Sequence, residues 1–151
     1  DNVYPSMLGT SVVFSANAQI RRFLQWGQAS NFRFKIRFPS SSGTNTSEVL
    51  IGRSKEWSHN DRFLGLHFIN GEIRMRDSKD GGSDCGVVGT YPLNTWLVVN
   101  IQYACDCSMI VRGEGIYGKH DYMDDMQYWV VLSGYPSPEG FEVKEFTRMN
   151  W

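Results

Sequence analysis

Long apolar runs are missing from this chain of 151 residues. None approaches the ~20 consecutive apolar residues that a membrane-crossing helix needs, so membrane insertion is not expected. No charged-then-apolar leader opens the chain, and a sequence that starts at Asp1 without Met reads as a mature or excised piece. A surplus of basic charge is equally lacking, with 15 Lys and Arg against 16 Asp and Glu and a formal net charge of −1. Phosphate binding needs a clear basic excess, which argues against nucleic acid as the main partner while leaving room for a local basic face. Cysteine is scarce. Cys85, Cys105 and Cys107 are an odd three, too few for a disulfide framework, and whether Cys85 pairs with Cys105 or Cys107 stays open. The Cys105-Asp106-Cys107 spacing invites a metal, but zinc takes four ligands and only one more cysteine exists, so neither a metal nor another cofactor is expected.

What is present is aromatic and alternating. Hydrophobic residues at 41% and aromatics at 14% suit one globular domain over residues 1–151, long enough to bury roughly 70% of its unfolded surface. The clearest pattern is residues 62–77, RFLGLHFINGEIRMRD, where two alternating runs flank Asn70-Gly71. That pair tolerates the positive φ values of a two-residue type I′ turn, so the stretch predicts a β-hairpin. A two-residue loop sets Ile69 against Glu72, Phe68 against Ile73, His67 against Arg74 and Leu66 against Met75. Leu64, Leu66, Phe68, Ile73 and Met75 then share a dry face, while His67, Glu72, Arg74 and Arg76 share the wet one. Gly65 on the wet face reads as a bare spot where something flat could approach.

Other segments are consistent with this. Residues 11–14 predict a short strand, and residues 17–28 are compatible with a helix through Ile20, Phe23 and Leu24 and equally with a turn or an edge strand. In residues 31–38, Phe32, Phe34, Ile36 and Phe38 alternate with Arg33, Lys35 and Arg37, which predicts a half-buried strand with a basic outer face. Pro39 ends it, and residues 40–47 form a polar loop carrying the glycosylation sequon Asn45-Thr46-Ser47. A strand at 48–53 and a charged loop at 54–61, with Trp57, His59 and Asn60, precede the hairpin. Residues 78–89 and 113–125, rich in Gly and Asp, read as flexible surface excursions, the second a candidate for function. Strands at 96–103, 109–112, 127–132 and 141–146 complete the chain. Many short strands, turn signals between them and no convincing long helix predict an all-β, antiparallel two-sheet β-sandwich.

The order FRFKIRF, VLIGRS, RFLGLHFINGEIRMRD, TYPLNTWLVVNIQY and QYWVVLSGYPSPEGFEVKEF resembles concanavalin A-like jelly-roll sandwiches of the laminin G-like and galectin-like kind, over about residues 32–146. In those families a Leu-Asn segment leading to Trp, like Leu93 to Trp96, opens the long core strand. Ser58-His59-Asn60-Asp61-Arg62 is similar to a fragment of the galectins' His-Asn-x-Arg strand, which adds Arg62 to the candidates. Their Trp-Gly-x-Glu-x-Arg element finds only Asn70-Gly71-Glu72-Ile73-Arg74 here, without the galactose-stacking Trp. The laminin G resemblance also raises Asp77, Asp80 and Asp84 as loop carboxylates, although calcium takes six to eight oxygens.

Three functions are expected in turn. The first is a glycan-binding, lectin-like recognition module of an extracellular or surface protein, in one setting a viral receptor-binding spike head, with a cytoplasmic location left open. Shallow sugar sites combine stacking aromatics with Arg, Asn, His and Glu for hydroxyls, which selects Trp57, His59, Asn60, Arg62, His67, Glu72 and Arg74. Arg33, Lys35, Arg37 and Arg74, if on one face, would favour acidic sugars. The alternative is a laminin G-like adhesion module with a glycoprotein or protein receptor. The third, a glycoside hydrolase, needs two carboxylates on one face; Glu142 and Glu145 read as facing opposite ways, and Glu72 keeps company with arginines, which lower a carboxyl pKa. His59, His67 and His120 could serve a Ser-His-Asp arrangement, but no serine has a nucleophile-elbow glycine pattern. The chain is therefore not expected to be an enzyme.

Overall fold

The computed structural model describes residues 6–8, 11–14, 19–23, 30–38, 49–54, 63–77, 83–104, 106–122, 129–134 and 141–150. In chain order the strands are β1 (Ser6–Leu8), β2 (Ser11–Phe14), β3 (Gln19–Phe23), β4 (Ser30–Arg37), β5 (Val49–Ser54), β6 (Leu64–Ile69) and β7 (Glu72–Asp77). They continue with β8 (Ser83–Thr90), β9 (Leu97–Tyr103), β10 (Ser108–Gly113), β11 (Ile116–Asp121), β12 (Trp129–Gly134) and β13 (Phe141–Asn150). A seven-stranded sheet runs β1-β2-β13-β4-β9-β10-β11 and a six-stranded sheet runs β3-β12-β5-β6-β7-β8. Every pairing is antiparallel. The all-β, two-sheet architecture predicted from alternation is the one observed.

The core lies between the sheets. Phe32, Phe34 and Ile36 of β4 and Val99, Ile101 and Tyr103 of β9 face Leu64, Leu66, Phe68, Ile73 and Met75 of the hairpin, all essentially inaccessible to water. Burying a side chain of this size is worth about 1.5–3 kcal/mol, so the alternating strands can be wetted on one face only. At one end Phe38, Phe68, Tyr91 and Phe141 form an aromatic cluster with neighbouring ring centroids 4.3 to 6.0 Å apart. The β8–β9 connection is tied to both sheets there. Tyr91 N donates to Gly71 O at 2.9 Å, and Asn94 N, on a residue with φ of +56°, donates to Phe38 O at 2.6 Å. Elsewhere Tyr103 Oη donates to the Leu64 carbonyl at 2.7 Å, and the buried Arg53 places its guanidinium 5.0 Å from the Tyr103 ring.

The hairpin has the predicted register, and Asn70 and Gly71 have φ of +52° and +79° as a type I′ turn demands. Within residues 17–28, where a helix, a turn and an edge strand were all compatible, residues 19–23 form an edge strand, β3, at the rim of the six-stranded sheet, and the rest of the stretch lies outside the described residues.

Two expectations are corrected. Residues 78–89 were expected to be a flexible excursion, yet residues 83–90 form β8, paired along β7 with register shifts at Arg74. The bulges absorb the glycines, and β7's open edge supplies ladder partners that outweigh local composition. Residues 113–125 were expected to be irregular, yet residues 116–121 form β11, joined to β10 by Glu114-Gly115 with Gly115 at φ +67°. Edge strands β8 and β11 close the sandwich, with Val88 and Met75 packed against Gly118 so tightly that a Cβ has no room there.

Candidate functional site

The polar face of the hairpin points away from the core and forms a groove of about 330 Å³, lined chiefly by His67, Ile69, Asn70, Glu72, Arg74 and Arg76. The period of two positions them: residues 67 and 69 on β6 and residues 72, 74 and 76 on β7 all face outward, with His67 opposite Arg74 and Ile69 opposite Glu72. Arg74 Nη2 donates to Glu72 Oε1 at 2.9 Å. The two side chains stay 31% and 40% exposed, so a guanidinium and a carboxylate stand side by side on the solvent-facing side of the groove. Among the described residues the groove offers donors, acceptors and one apolar patch, and no nucleophile.

His67, Glu72 and Arg74 are thus brought together. Trp57, His59, Asn60 and Arg62 lie outside the described residues. Gly65 is not the bare spot expected. The Phe63 ring lies over it and the backbone of Gly52 presses against it from β5, so that an added Cβ would sit 2.6 Å from Gly52 Cα. Phe63 and Leu50 are fully buried although both belong to the outer side of the sheet, Leu50 opposite His67.

Arg33, Lys35 and Arg37 do not join Arg74. They lie on the outer face of the seven-stranded sheet, whereas Arg74 is on the outer face of the six-stranded one, so the core separates them. Glu142 and Glu145 also depart from expectation. Between Lys144 and Thr147 the ladder slips, Glu145 takes φ of +53°, and both carboxylates end on the same outer face. Arg37 clamps Glu142 with two contacts of 2.8 and 2.9 Å, and Lys35 meets Glu145 at 2.6 Å. The hydrogen bond from Lys35 holds the Glu145 carboxyl below the usual range, opposite to what a general acid requires. Trp96, which sequence reasoning passed over as a core-strand opener, carries Lys144 Nζ at 4.1 Å and Arg37 Cζ at 4.7 Å from its ring centroid.

A second polar cluster bridges the edge strands. His120 Nε2 lies 3.1 Å from Asp77 Oδ2 and 3.7 Å from Cys85 Sγ. Both contacts fall on the same ring nitrogen, so the imidazole cannot take a proton from the thiol on one nitrogen while being oriented through the other. Asp77 is occupied here. Among the described residues no set of three His, Cys, Asp or Glu side chains converges as a metal site. Neither Cys85 nor Cys107 is part of a disulfide among the described residues.

No protein-family model and no curated protein matches the sequence. Solved structures do match in shape. The carbohydrate recognition domain of Emp47p superposes with a TM-score of 0.68 at 12% identity, covering 97% of this chain and 85% of that one. The fold is a two-sheet β-sandwich of the jelly-roll kind. The binding domain of botulinum neurotoxin serotype D (TM-score 0.68, 12% identity, 97% of this chain) and Trypanosoma rangeli sialidase (TM-score 0.69, 13% identity, 98% of this chain) superpose on the same sandwich. This chain spans only 40% of the toxin domain and 26% of the sialidase. Identities this low establish the sandwich and leave chemistry to the side chains.

Proposed function

We propose that this jelly roll is a glycan-binding recognition module and that the groove on the hairpin's polar face holds the sugar. The observation that carries the reading is the Glu72–Arg74 pair set in a concave, half-exposed groove beside His67 and Asn70. Vicinal hydroxyls both donate and accept, and a carboxylate next to a guanidinium supplies the complementary partners at hydrogen-bond spacing. Ile69 gives the apolar contact that a sugar's CH face needs. Carbohydrate recognition by a similarly shaped domain supports this class of ligand. The natural setting for such a module is outside a cell or on a surface, a virion attachment head included, with a glycoprotein as the physical partner.

We read the module as non-catalytic. Glu142 and Glu145 are each held by a cation, and the His120 cluster lacks the two-nitrogen relay that a nucleophile needs. A laminin G-like adhesion role is the second reading, favoured by Val87, which is 47% exposed and sits opposite Arg74 in the ladder, an apolar and Arg combination that protein partners also use. A glycan array on the chain separates the two. Binding to defined sugars that Arg74→Ala weakens by at least ~1.5 kcal/mol, with stability kept within about 0.5 kcal/mol, is the expected result. Silence on the array together with tight binding to a protein ectodomain would select adhesion. Unchanged binding with lost stability would make Arg74 a structural partner of Glu72 and move the site elsewhere.

A further inference from the structure

We propose that the opposite surface of the sandwich, the outer face of the seven-stranded sheet, binds a linear anionic polysaccharide laid across the strands. The ladder pairs Thr147 with Arg33, Arg33 with Asn100, Asn100 with Arg112 and Arg112 with Tyr117. These five residues therefore form one row across β13, β4, β9, β10 and β11. Adjacent strands are about 4.8 Å apart, so the row is roughly 19 Å long and its two guanidinium-bearing positions stand roughly 10 Å from each other.

The chemistry of the row differs from that of its surroundings. On the same face Glu142, Glu145 and Asp121 are each engaged by Arg37, Lys35 and Lys119. Arg33 and Arg112 are exposed and form no ion pair among the described residues. Their planar forks suit a carboxylate or a sulfate bidentately. Asn100 lies between them with an amide for hydroxyls, and Tyr117, 63% exposed, ends the row with a ring on which a sugar CH face can rest. Two cations separated by a neutral hydrogen-bonding side chain fit a polymer that carries its acid on alternate sugars. A nucleic-acid strand has a phosphate at every unit and asks for a continuous basic track with several stacking rings, whereas this chain has a net charge of −1 and this row one ring. Each contact alone is weak in water, and repetition along a polymer multiplies it.

The site is independent of the hairpin groove, and its test uses neither that groove nor its ligand. Chondroitin sulfate is titrated into the chain at low salt by calorimetry, with single-stranded polyuridylate as a polyanion of different class. Binding that weakens as salt is raised is expected, with Arg33→Gln/Arg112→Gln lowering affinity at least about tenfold. Arg112→Gln alone should cost severalfold, while Lys119→Gln, the same loss of charge one row away, should cost less than about twofold. Circular dichroism verifies that the exposed substitutions leave the fold intact. Equal losses for Arg112→Gln and Lys119→Gln would overturn the proposal by showing a diffuse field in place of a site. Absence of binding to chondroitin sulfate, or tighter binding to polyuridylate, would overturn it as well.

Discussion

Gly65→Ala separates two meanings of a glycine beside the groove. A Cβ added at Gly65 would sit 2.6 Å from Gly52 Cα and 2.9 Å from Phe63 Cζ, and it would also press on the Ile51 carbonyl. The ring can swing aside, but the backbone of β5 cannot, since β12 holds it from the other side. Restoring ordinary contact at 3.4 Å means parting β5 from β6 by roughly 0.8 Å. Overpacking of this kind costs about 1–3 kcal/mol, and a stretched ladder bond adds about 1 kcal/mol. The stiffer unfolded chain returns about 0.4–1 kcal/mol, which leaves a net loss of roughly 2 kcal/mol, within limits of about 1 and 3.6 kcal/mol. Urea unfolding followed by tryptophan fluorescence measures it. Gly71→Ala is the comparator, because an added Cβ there meets nothing within 4 Å and only its φ of +79° is penalised. Its cost should be about 1–2 kcal/mol and should be largely recovered by Gly71→Asn. A Gly65→Ala protein within about 0.5 kcal/mol of the parent would refute the steric argument, and lost glycan binding in that protein would make Gly65 a place of ligand approach.

The core assignment predicts that Phe34→Ala and Ile101→Ala each lose about 2–5 kcal/mol, measured by the same unfolding curves. Values typical of surface changes would mean that the inward faces are misassigned. Tyr103→Phe should cost about 0.5–1.5 kcal/mol through the bond to the Leu64 carbonyl. It should also flatten the alkaline limb of stability. Burial raises the Tyr103 phenol above its ordinary 10.0, so the unfolded chain releases that proton first, and the contribution is complete below about pH 10 and lost as pH rises beyond it. An unchanged alkaline limb in Tyr103→Phe would count against the buried phenol.

The hairpin and β4 were legible because two local signals agreed in each. Asn70-Gly71 supplied the turn while the alternation on both sides supplied the faces, and no distant contact was needed to set the register. The strand β8 was hidden because SDCGVVGT has the composition of a loop and becomes a strand only when β7 offers its edge. The strand β11 had a weak signal that went unused. Glu114-Gly115 is a two-residue turn, and Ile116, Gly118 and His120 alternate behind it on the side that faces the other sheet. Of the seven candidate site residues, His67, Glu72 and Arg74 share a face for the same local reason, since their placement follows from the hairpin alone.

The remaining errors share one cause, which is that alternation tells which residues share a face of a strand but not what the strand lies beside. Arg33, Lys35 and Arg37 are outward, as expected, yet β4 pairs with β9 and β13 while the hairpin pairs with β5 and β8, and this long-range choice puts the two basic sets on opposite surfaces. Glu142 and Glu145 show the same dependence at shorter range. Val143 is buried and Phe146, three residues on, stacks 5.7 Å from Phe34, a spacing that a regular strand cannot direct to one side. An extra residue must be accommodated between them, and the positive φ of Glu145 accommodates it. The slip from two to three in the apolar spacing was visible in the sequence. Its consequence, two carboxylates on one face beside two cations of β4, depended on which strand β13 would choose to pair with.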